Sequence, residues 1–357
     1  MSVTPVRSSG SSAAASVLRS ILDEISVPIA VLKEARARRD RVLSIACGHY
    51  AVRARYSAGS VAYGTANRPL EDADGGVKMN RRLTDLREFG PDAPGRGLGP
   101  GPLMEHLGAY VLERLCGDYP KATVDTSGKR AVKFEFHSPV DLDELGQVDP
   151  YVDFIIGLAR ADGEGLWIPN RKLAPGWDIA DPEHHLYMMN RRSSRELRVH
   201  LAHLIRLAKR AIKRDAAAGR LQVMCSWNIS ALALDLVEDA ELSLPDALAA
   251  FLAAAASEIE WRLTPDPSPV VAPIALPAGV TNAMAAARLA EMAEYAHEAA
   301  TARSEAGARN AYAKLYGPEI DAIRERAART ADRLLVAGAT LAPLASRAHK
   351  PTRSDGA

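Results

Sequence analysis

Three carboxylates and one small turn carry the chemistry written into this chain. The run Gly59-Ser60-Val61-Ala62-Tyr63-Gly64-Thr65 is followed by Asp72-Ala73-Asp74-Gly75-Gly76-Val77. In a strand, successive side chains alternate faces, so Asp72 and Asp74 project together while Ala73 turns toward a core. Two carboxylates on one face can share hard cations, because Mg²⁺ takes its oxygen ligands from one or two carboxylates plus the phosphates of its substrate. A pair of such ions about 3.5 to 4 Å apart can activate an attacking hydroxyl and stabilise a departing pyrophosphate. That geometry usually needs a third carboxylate. The turn supplies the other half of the site: backbone N–H groups at a helix start attract phosphate, Gly59 lets the backbone come close, and Ser60 adds a hydroxyl. Each piece alone is common, and an Asp-x-Asp after Pro69-Leu70-Glu71 could be a solvated loop. Their order and separation, with an apolar segment beyond them, favour metal-dependent transfer of a nucleotide onto an acceptor.

The third carboxylate is sought downstream. The run Tyr151-Val152-Asp153-Phe154-Ile155-Ile156-Gly157-Leu158 has the continuous apolar character of a buried central strand. Asp153 interrupts it. An ionised carboxylate in such a run is expensive to bury unless paired or metal-bound, so Asp153 is a stronger candidate than Asp149, which precedes Pro150 in a turn. The alternative for Asp153 is a strand-end carboxylate exposed to water. Residues 130–136 alternate polar and apolar, as a half-buried strand does, after a hairpin turn at Ser127-Gly128 that follows Ala122-Thr123-Val124.

Other elements must hold these strands. Residues 16 to 56 read as helical: Leu18, Ile21, Leu22 and Ile25 recur at helical spacing, Pro28 interrupts, and 30–47 resumes with many arginines. Residues 85–102 are crowded with Gly and Pro and read as a mobile connection rather than a nucleotide loop; no Walker A sequence exists. A helix at 103–116 leads into the central sheet. Beyond residue 181 the chain becomes mostly helical. Within 190–214, Arg191, Arg192, Arg195, Arg198, Arg206, Lys209, Arg210, Lys213 and Arg214 face a single acid, Glu196. Such a run is usually a solvated helix face, and its alternative is a phosphate-facing wall, with Leu197, Leu201, Leu204 and Ile205 as the buried stripe. His184 and His185 have no carboxylate or cysteine at metal-ligand spacing and read as polar surface or core hydrogen bonds. Residues 264–277 are Pro-rich and extended, and 282–335 are Ala- and charge-rich and helical.

Composition bounds the class. With 357 residues, 47% hydrophobic and 25% charged, the chain can bury a sizeable core in one bilobed domain or two intimate subdomains. A net charge of +1 argues against a protein whose main task is coating nucleic acid, and 5% aromatic residues give little for strand-stacking platforms. Cys47, Cys116 and Cys225 are scattered and form no zinc spacing, which suggests reduced thiols and a cytoplasmic protein. No stretch reaches the roughly 20 apolar residues of a bilayer span. Residues 1–15 lack the apolar core of a signal peptide and read as a loose tail, as do 347–357.

The series Gly59-Ser60, Gly64-Thr65, Arg68-Pro69, Asp72-x-Asp74 and Val152-Asp153 resembles the bacterial cyclic GMP-AMP synthase/DncV-like nucleotidyltransferases, or CD-NTases, of the polymerase-beta-like superfamily. The resemblance extends along most of the chain. Trp167-Ile168-Pro169-Asn170 and Asp181-Pro182 are similar to the family's passage from catalytic sheet to helical lobe. Leu204-Ile205-Arg206-Leu207-Ala208-Lys209 is similar to its helix with a phosphate-contacting lysine, Cys225-Ser226-Trp227 to its serine-containing turn, and Asp266-Pro267-Ser268 to its Asp-Pro before the terminal helices. Two positions depart from the pattern: Gly75-Gly76 replaces a more apolar continuation, and Asn228 stands where a Glu or His is expected.

The resemblance implies an α/β (α+β) nucleotidyltransferase core with a mixed central sheet over 16–180, packed against a C-terminal helical lobe over 181–346. It implies two Mg²⁺ ions, or Mn²⁺ in their place, held by Asp72, Asp74 and Asp153, with Asp153 helping to activate the acceptor hydroxyl. Gly59 and Ser60 would hold the phosphates, and Lys209 and Ser226 would close over them. The implied activity joins nucleoside triphosphates into a cyclic di- or trinucleotide that activates a separate effector protein in anti-phage (CBASS-type) signalling, with a regulatory protein as a further partner and no membrane or stably bound nucleic acid. Competing expectations on the same fold are transfer to an RNA end or a protein side chain, and a catalytically silent nucleotide sensor.

Overall fold

The computed structural model describes residues 10–318 except 81–82, 84–88, 92–97, 143–145, 161–162, 175 and 191–193. The chain begins with helices α1 (Gly10–Ile25) and α2 (Ile29–Ala46), broken at Pro28, whose fixed φ suits an N-cap but not a helix interior. Strand β1 (Val52–Ser57), the short α3 (Gly59–Tyr63) and β2 (Asp72–Met79) follow, then α4 (Gly101–Leu115). Next come β3 (Thr123–Asp125), β4 (Val132–Glu135), the ribbon β5 (Val140–Asp141) and β6 (Gln147–Val148), β7 (Tyr151–Ala159), β8 (Leu166–Pro169) and β9 (Trp177–Ala180). Helices α5 (Pro182–Asn190), α6 (Arg195–Ala217), α7 (Ser226–Leu236), α8 (Leu244–Trp261), α9 (Asn282–Ala300) and α10 (Glu305–Tyr316) complete the described chain.

The main sheet is mixed, in the order β1-β2-β7-β4-β3, with β8 also on β7 and β9 on β8. Among the described strands only the β2–β7 pair is parallel, and it sets Asp74 directly opposite Asp153. Along both strands the alternate residues Val77, Met79, Val152, Phe154, Ile156 and Leu158 are buried in one core with α2 and α4, and Ala73 is buried in a smaller cluster with Val31, Ala35, Val61 and Leu70. The three aspartates lie on the other face.

Several expectations are met and some are moved. The hairpin at Ser127-Gly128 joins β3 to β4, and Asp125 Oδ1 accepts from Ser127 N at 2.8 Å. Helical periodicity does not run to Tyr56: α2 stops at Ala46, the turn through Gly48 follows, and Val52–Ser57 forms an edge strand whose Arg53 and Arg55 face water. The Gly75-Gly76 pair does not disturb register. A side chain at Gly76 would lie 2.4 Å from the Tyr56 hydroxyl and 2.2 Å from the Ile155 carbonyl, so glycine makes room for a buried tyrosine ring. α1 starts at Gly10, inside the segment read as a tail, and the segment 282–335, read as helical, holds two helices within its described part. Residues 1–9, most of 85–97, Arg191, Arg192 and 319–357 lie outside the described residues.

The first helix packs where its sequence position does not suggest. Val17, Leu18, Ile21, Leu22 and Ile25 are buried in the core formed by α6 to α10, not in that of the sheet. Arg206 of α6 reinforces this by donating to Leu22 O and Ser26 Oγ.

A buried arginine ties α2 to the start of β7. Arg38, with no exposed surface, donates to Glu34 at 2.8 Å, to Asp149 at 2.5 Å, to Pro150 O at 2.8 Å and to Ser138 O. Its guanidinium lies 4.6 Å from the Phe136 ring. Asp149, the weaker candidate for metal binding, is thus consumed by a structural ion pair. Removing one partner of a buried pair costs about 3–5 kcal/mol. Because Glu34 and Asp149 remain about a third exposed and can rehydrate, Arg38→Ala is expected at the lower end, about 3 kcal/mol, read from the denaturant midpoint. Arg38→Lys is expected to recover little of it, since a point charge cannot serve these separate acceptors.

Among the described residues no helix is long and apolar enough to cross a membrane.

Candidate active site

The parallel register builds the carboxylate cluster. Asp72 and Asp74 leave β2 on the cleft face, Asp153 leaves β7 beside Asp74, and one oxygen from each of the three lies within 4.8 Å of the others. The strands are anchored just before these residues: Tyr151 N donates to Glu71 O at 2.9 Å, and Ala58 N to Asp74 O at 3.2 Å. Three half-buried carboxylates at this range repel one another. Burial, then Asp72 and Asp153, push Asp74 up to about 7; burial and Asp72 push Asp153 up to about 6; burial and Glu71 raise Asp72. An all-oxygen, all-anionic donor set under such repulsion is what a hard divalent cation relieves, so the residues fit Mg²⁺ or Mn²⁺.

The Gly59–Tyr63 turn is pressed against this cluster. Gly59 has φ +71°, and a side chain there would lie 1.7 Å from Asp74 Oδ2. The turn is closed at Gly64, also left-handed, with Thr65 N donating to Ser60 O at 2.9 Å. Ser60 lies at its start.

Lys209 is not on a solvated face. It is 8% exposed and donates from Nζ to Thr65 O at 3.1 Å, so α6 reaches the end of the glycine turn through it. Burial and Lys213 pull its pKa down to about 8, against the pull of Asp72 and Asp74. Ser226 opens α7, whose next residue, Trp227, packs its ring 5.9 Å from that of Tyr63 at the end of α3. Asn228 has a different task from the Glu or His expected there. It accepts from Cys225 N at 3.1 Å as a helix cap and donates to Thr264 Oγ1 at 3.1 Å.

Some neighbours escaped sequence reading. Lys133 stands opposite Asp153 in the strand register, where its charge offsets part of the upward shift of that carboxyl, and its ammonium lies 4.1 Å from the Tyr151 ring. Tyr151 faces Asp72 in the register, and burial followed by the charges of Asp72 and Asp153 raises its phenol to about 12. Lys213, one turn beyond Lys209, is the main cation drawing Asp72 back down. The i, i+4 spacing of the two lysines was the available signal for Lys213.

A pH dependence follows from the cluster. Asp74 and Asp153 ordinarily titrate near 3.8 and do so near 7 and 6 in the fold, so the native metal-free chain holds more protons than the unfolded one between those limits. Stability is then fully present below pH 4 for these groups and is lost as pH rises through 6 and 7. In EDTA, the unfolding midpoint attributable to the cluster is expected to be lower at pH 7.5 than at pH 5.5, and Mg²⁺ at pH 7.5 is expected to restore it. A midpoint unmoved by Mg²⁺ would count against metal binding here.

The sheet, the paired aspartates at the head of β2 and the third on β7 define a nucleotidyltransferase fold. Solved structures with the same fold include CdnC of E. coli MS115-1 with ATP, at 18% identity over 85% of this chain and 97% of that one, TM-score 0.58. The same CdnC in complex with HORMA-deltaN matches at 19% identity, 85% and 96% coverage, TM-score 0.59. Vibrio cholerae DncV cyclic AMP-GMP synthase with its linear intermediate 5′ pppA(3′,5′)pG matches at 16% identity, 87% of each chain, TM-score 0.52. These are bacterial CD-NTases, and the architecture expected from the resemblance is the one found. No family model matches the chain, and no curated protein does.

Proposed function

We propose that this chain is a metal-dependent nucleotidyltransferase that joins nucleoside triphosphates into a cyclic di- or trinucleotide. The observation that carries it is the convergence of Asp72, Asp74 and Asp153 beneath a glycine turn that only a residue without a side chain can form so close to them. Two Mg²⁺ ions held by the three aspartates would neutralise the triphosphate and make the acceptor hydroxyl more acidic. Ser60 and the Gly59 backbone hold the phosphates on one side and Lys209 and Ser226 on the other. Lys209 acts as a point charge and requires little geometric precision. Asp153 orients the acceptor hydroxyl and takes its proton as the oxygen attacks. The hydroxyl oxygen bonds to the α-phosphorus, the bond to the bridging oxygen breaks, and pyrophosphate leaves with the electron pair. A second transfer closes the ring.

Product class decides between this reading and its rivals. Purified chain, labelled nucleoside triphosphates and Mg²⁺ or Mn²⁺ are expected to yield a small phosphatase-resistant product that Asp72→Asn removes. Label found only in RNA or protein would replace cyclisation with polymer or side-chain transfer. Nucleotide binding without turnover, even with a regulatory protein added, would indicate a silent sensor. The complex of CdnC with HORMA-deltaN supports a HORMA-like protein as the regulatory partner; a separate effector for the product and anti-phage signalling are inferred from the family resemblance alone.

A further inference from the structure

The junction between α3, α5 and α7 holds a buried ionic cluster that the proposed transfer step does not use. The Asp266 side chain is 3% exposed and accepts three hydrogen bonds, from His185 Nε2 at 2.7 Å, from Trp227 Nε1 at 3.0 Å and from its neighbour Ser268 N at 2.9 Å. Burial alone would raise this carboxyl, yet the bonds from His185, Trp227 and Ser268 hold it below the usual carboxylate range. The Trp227 ring packs 4.5 Å from the His185 ring and 5.9 Å from the Tyr63 ring, measured between centroids. Ser268 Oγ donates in turn to Asp181 Oδ2 at 3.1 Å, and Asp181 Oδ1 accepts from His184 N, which ties the 264–268 segment to the start of α5.

These groups fix one indole. Trp227 has a single hydrogen-bond donor, and a buried carboxylate takes it. The neighbour before it is Ser226, and the ring it touches belongs to the last residue of the phosphate turn. We propose that His185 and Asp266 are positioning residues that dock the first turn of α7, through Trp227, onto the Gly59–Tyr63 turn, so that Ser226 and Ser60 meet a bound triphosphate as one wall. The inference rests on the nucleotidyltransferase reading for its use, but the docking can be measured without it. It is separate from the Lys209 contact with Thr65, which lies on another helix.

His185→Leu removes the donor and leaves Asp266 buried with one fewer partner, whereas His185→Gln places an amide N–H where Nε2 stood. Trp227→Phe keeps a ring and removes the indole donor. Hydrogen exchange on the free protein is expected to accelerate about tenfold in peptides covering 223–232 and 59–65 for His185→Leu and Trp227→Phe, and to stay near wild type for His185→Gln. Peptides of α8 and α9 are the internal reference, because acceleration there as well would mean general loosening and would overturn a local dock. In the transfer assay, His185→Leu is expected to raise KM for ATP about tenfold with kcat within about twofold, the pattern of lost substrate positioning, and His185→Gln to recover it. Unchanged exchange in His185→Leu, or accelerated exchange with unchanged KM, would overturn the proposal. Should the wild-type chain consume no nucleotide, the transfer reading fails by itself while the exchange measurement still decides the dock.

Discussion

Asp74→Asn is expected to abolish nucleotide transfer while making the metal-free protein harder to unfold at pH 7.5. Asp74 stands between Asp72 and Asp153 and feels both charges. Asparagine keeps the shape and offers one neutral oxygen where a hard cation takes a charged one. Loss of a single neutral donor to a transition-state charge costs about 10²–10³-fold in other enzymes, so loss of a shared charged ligand is expected to cost about 10³-fold or more. Stability moves the other way, because the substitution removes a carboxylate that burial and then the charges of both its neighbours disfavour. The gain is expected to vanish below about pH 4, where Asp74 is protonated in both the folded and the unfolded chain. Activity and unfolding midpoints measured on one preparation test both halves. A variant that melts below wild type at pH 7.5 would show that the cluster does not repel itself as described.

The second large effect separates crowding from backbone strain. Gly59 and Gly64 both have φ +71°, but a methyl group at Gly59 meets Asp74 Oδ2 at 1.7 Å while one at Gly64 meets nothing within 4 Å. Left-handed geometry alone costs a non-glycine residue about 1–2 kcal/mol. Gly64→Ala is therefore expected to lose about that stability and to keep activity within a few-fold. Gly59→Ala must displace the turn or the carboxylate by an ångström or more. A shift of that size costs on the order of 10²-fold in rate. Equal activity losses in the two variants would mean that the turn matters only as a bend. A Gly59→Ala enzyme of wild-type rate would remove the turn from the site.

Much of this site was legible because strand alternation is local. Asp72, Ala73 and Asp74 needed no partner to be placed on opposite faces, and the apolar run around Asp153 marked a central strand by itself. The register that brings Asp74 beside Asp153 could not be read, since parallel pairing joins strands far apart in sequence. The same holds for Lys133, which is visible as a strand residue but becomes a neighbour of Asp153 only through β4–β7 pairing. β1 was missed because an edge strand with arginines on its open side lacks the apolar signature of its buried neighbours. Lys209 sat in a charge run of the kind usually found in solvent. Its contact with Thr65 is a tertiary event that composition does not encode.

The placement of α1 bears on how this chain is made. Its apolar residues Leu18, Ile21 and Ile25 leave the ribosome before the sheet, while the helices that bury them, α6 to α10, leave after it. Domains generally form as they emerge, and uncovered apolar surface invites misassembly in the interval. The sheet and α2 can gather early, but α1 has to wait, and the closing of the helical core is the step in which beginning and end of the described chain are brought together. A fragment cut at residue 180 would keep that helix with its partners removed. One that begins at Pro28 would not carry the orphaned face at all.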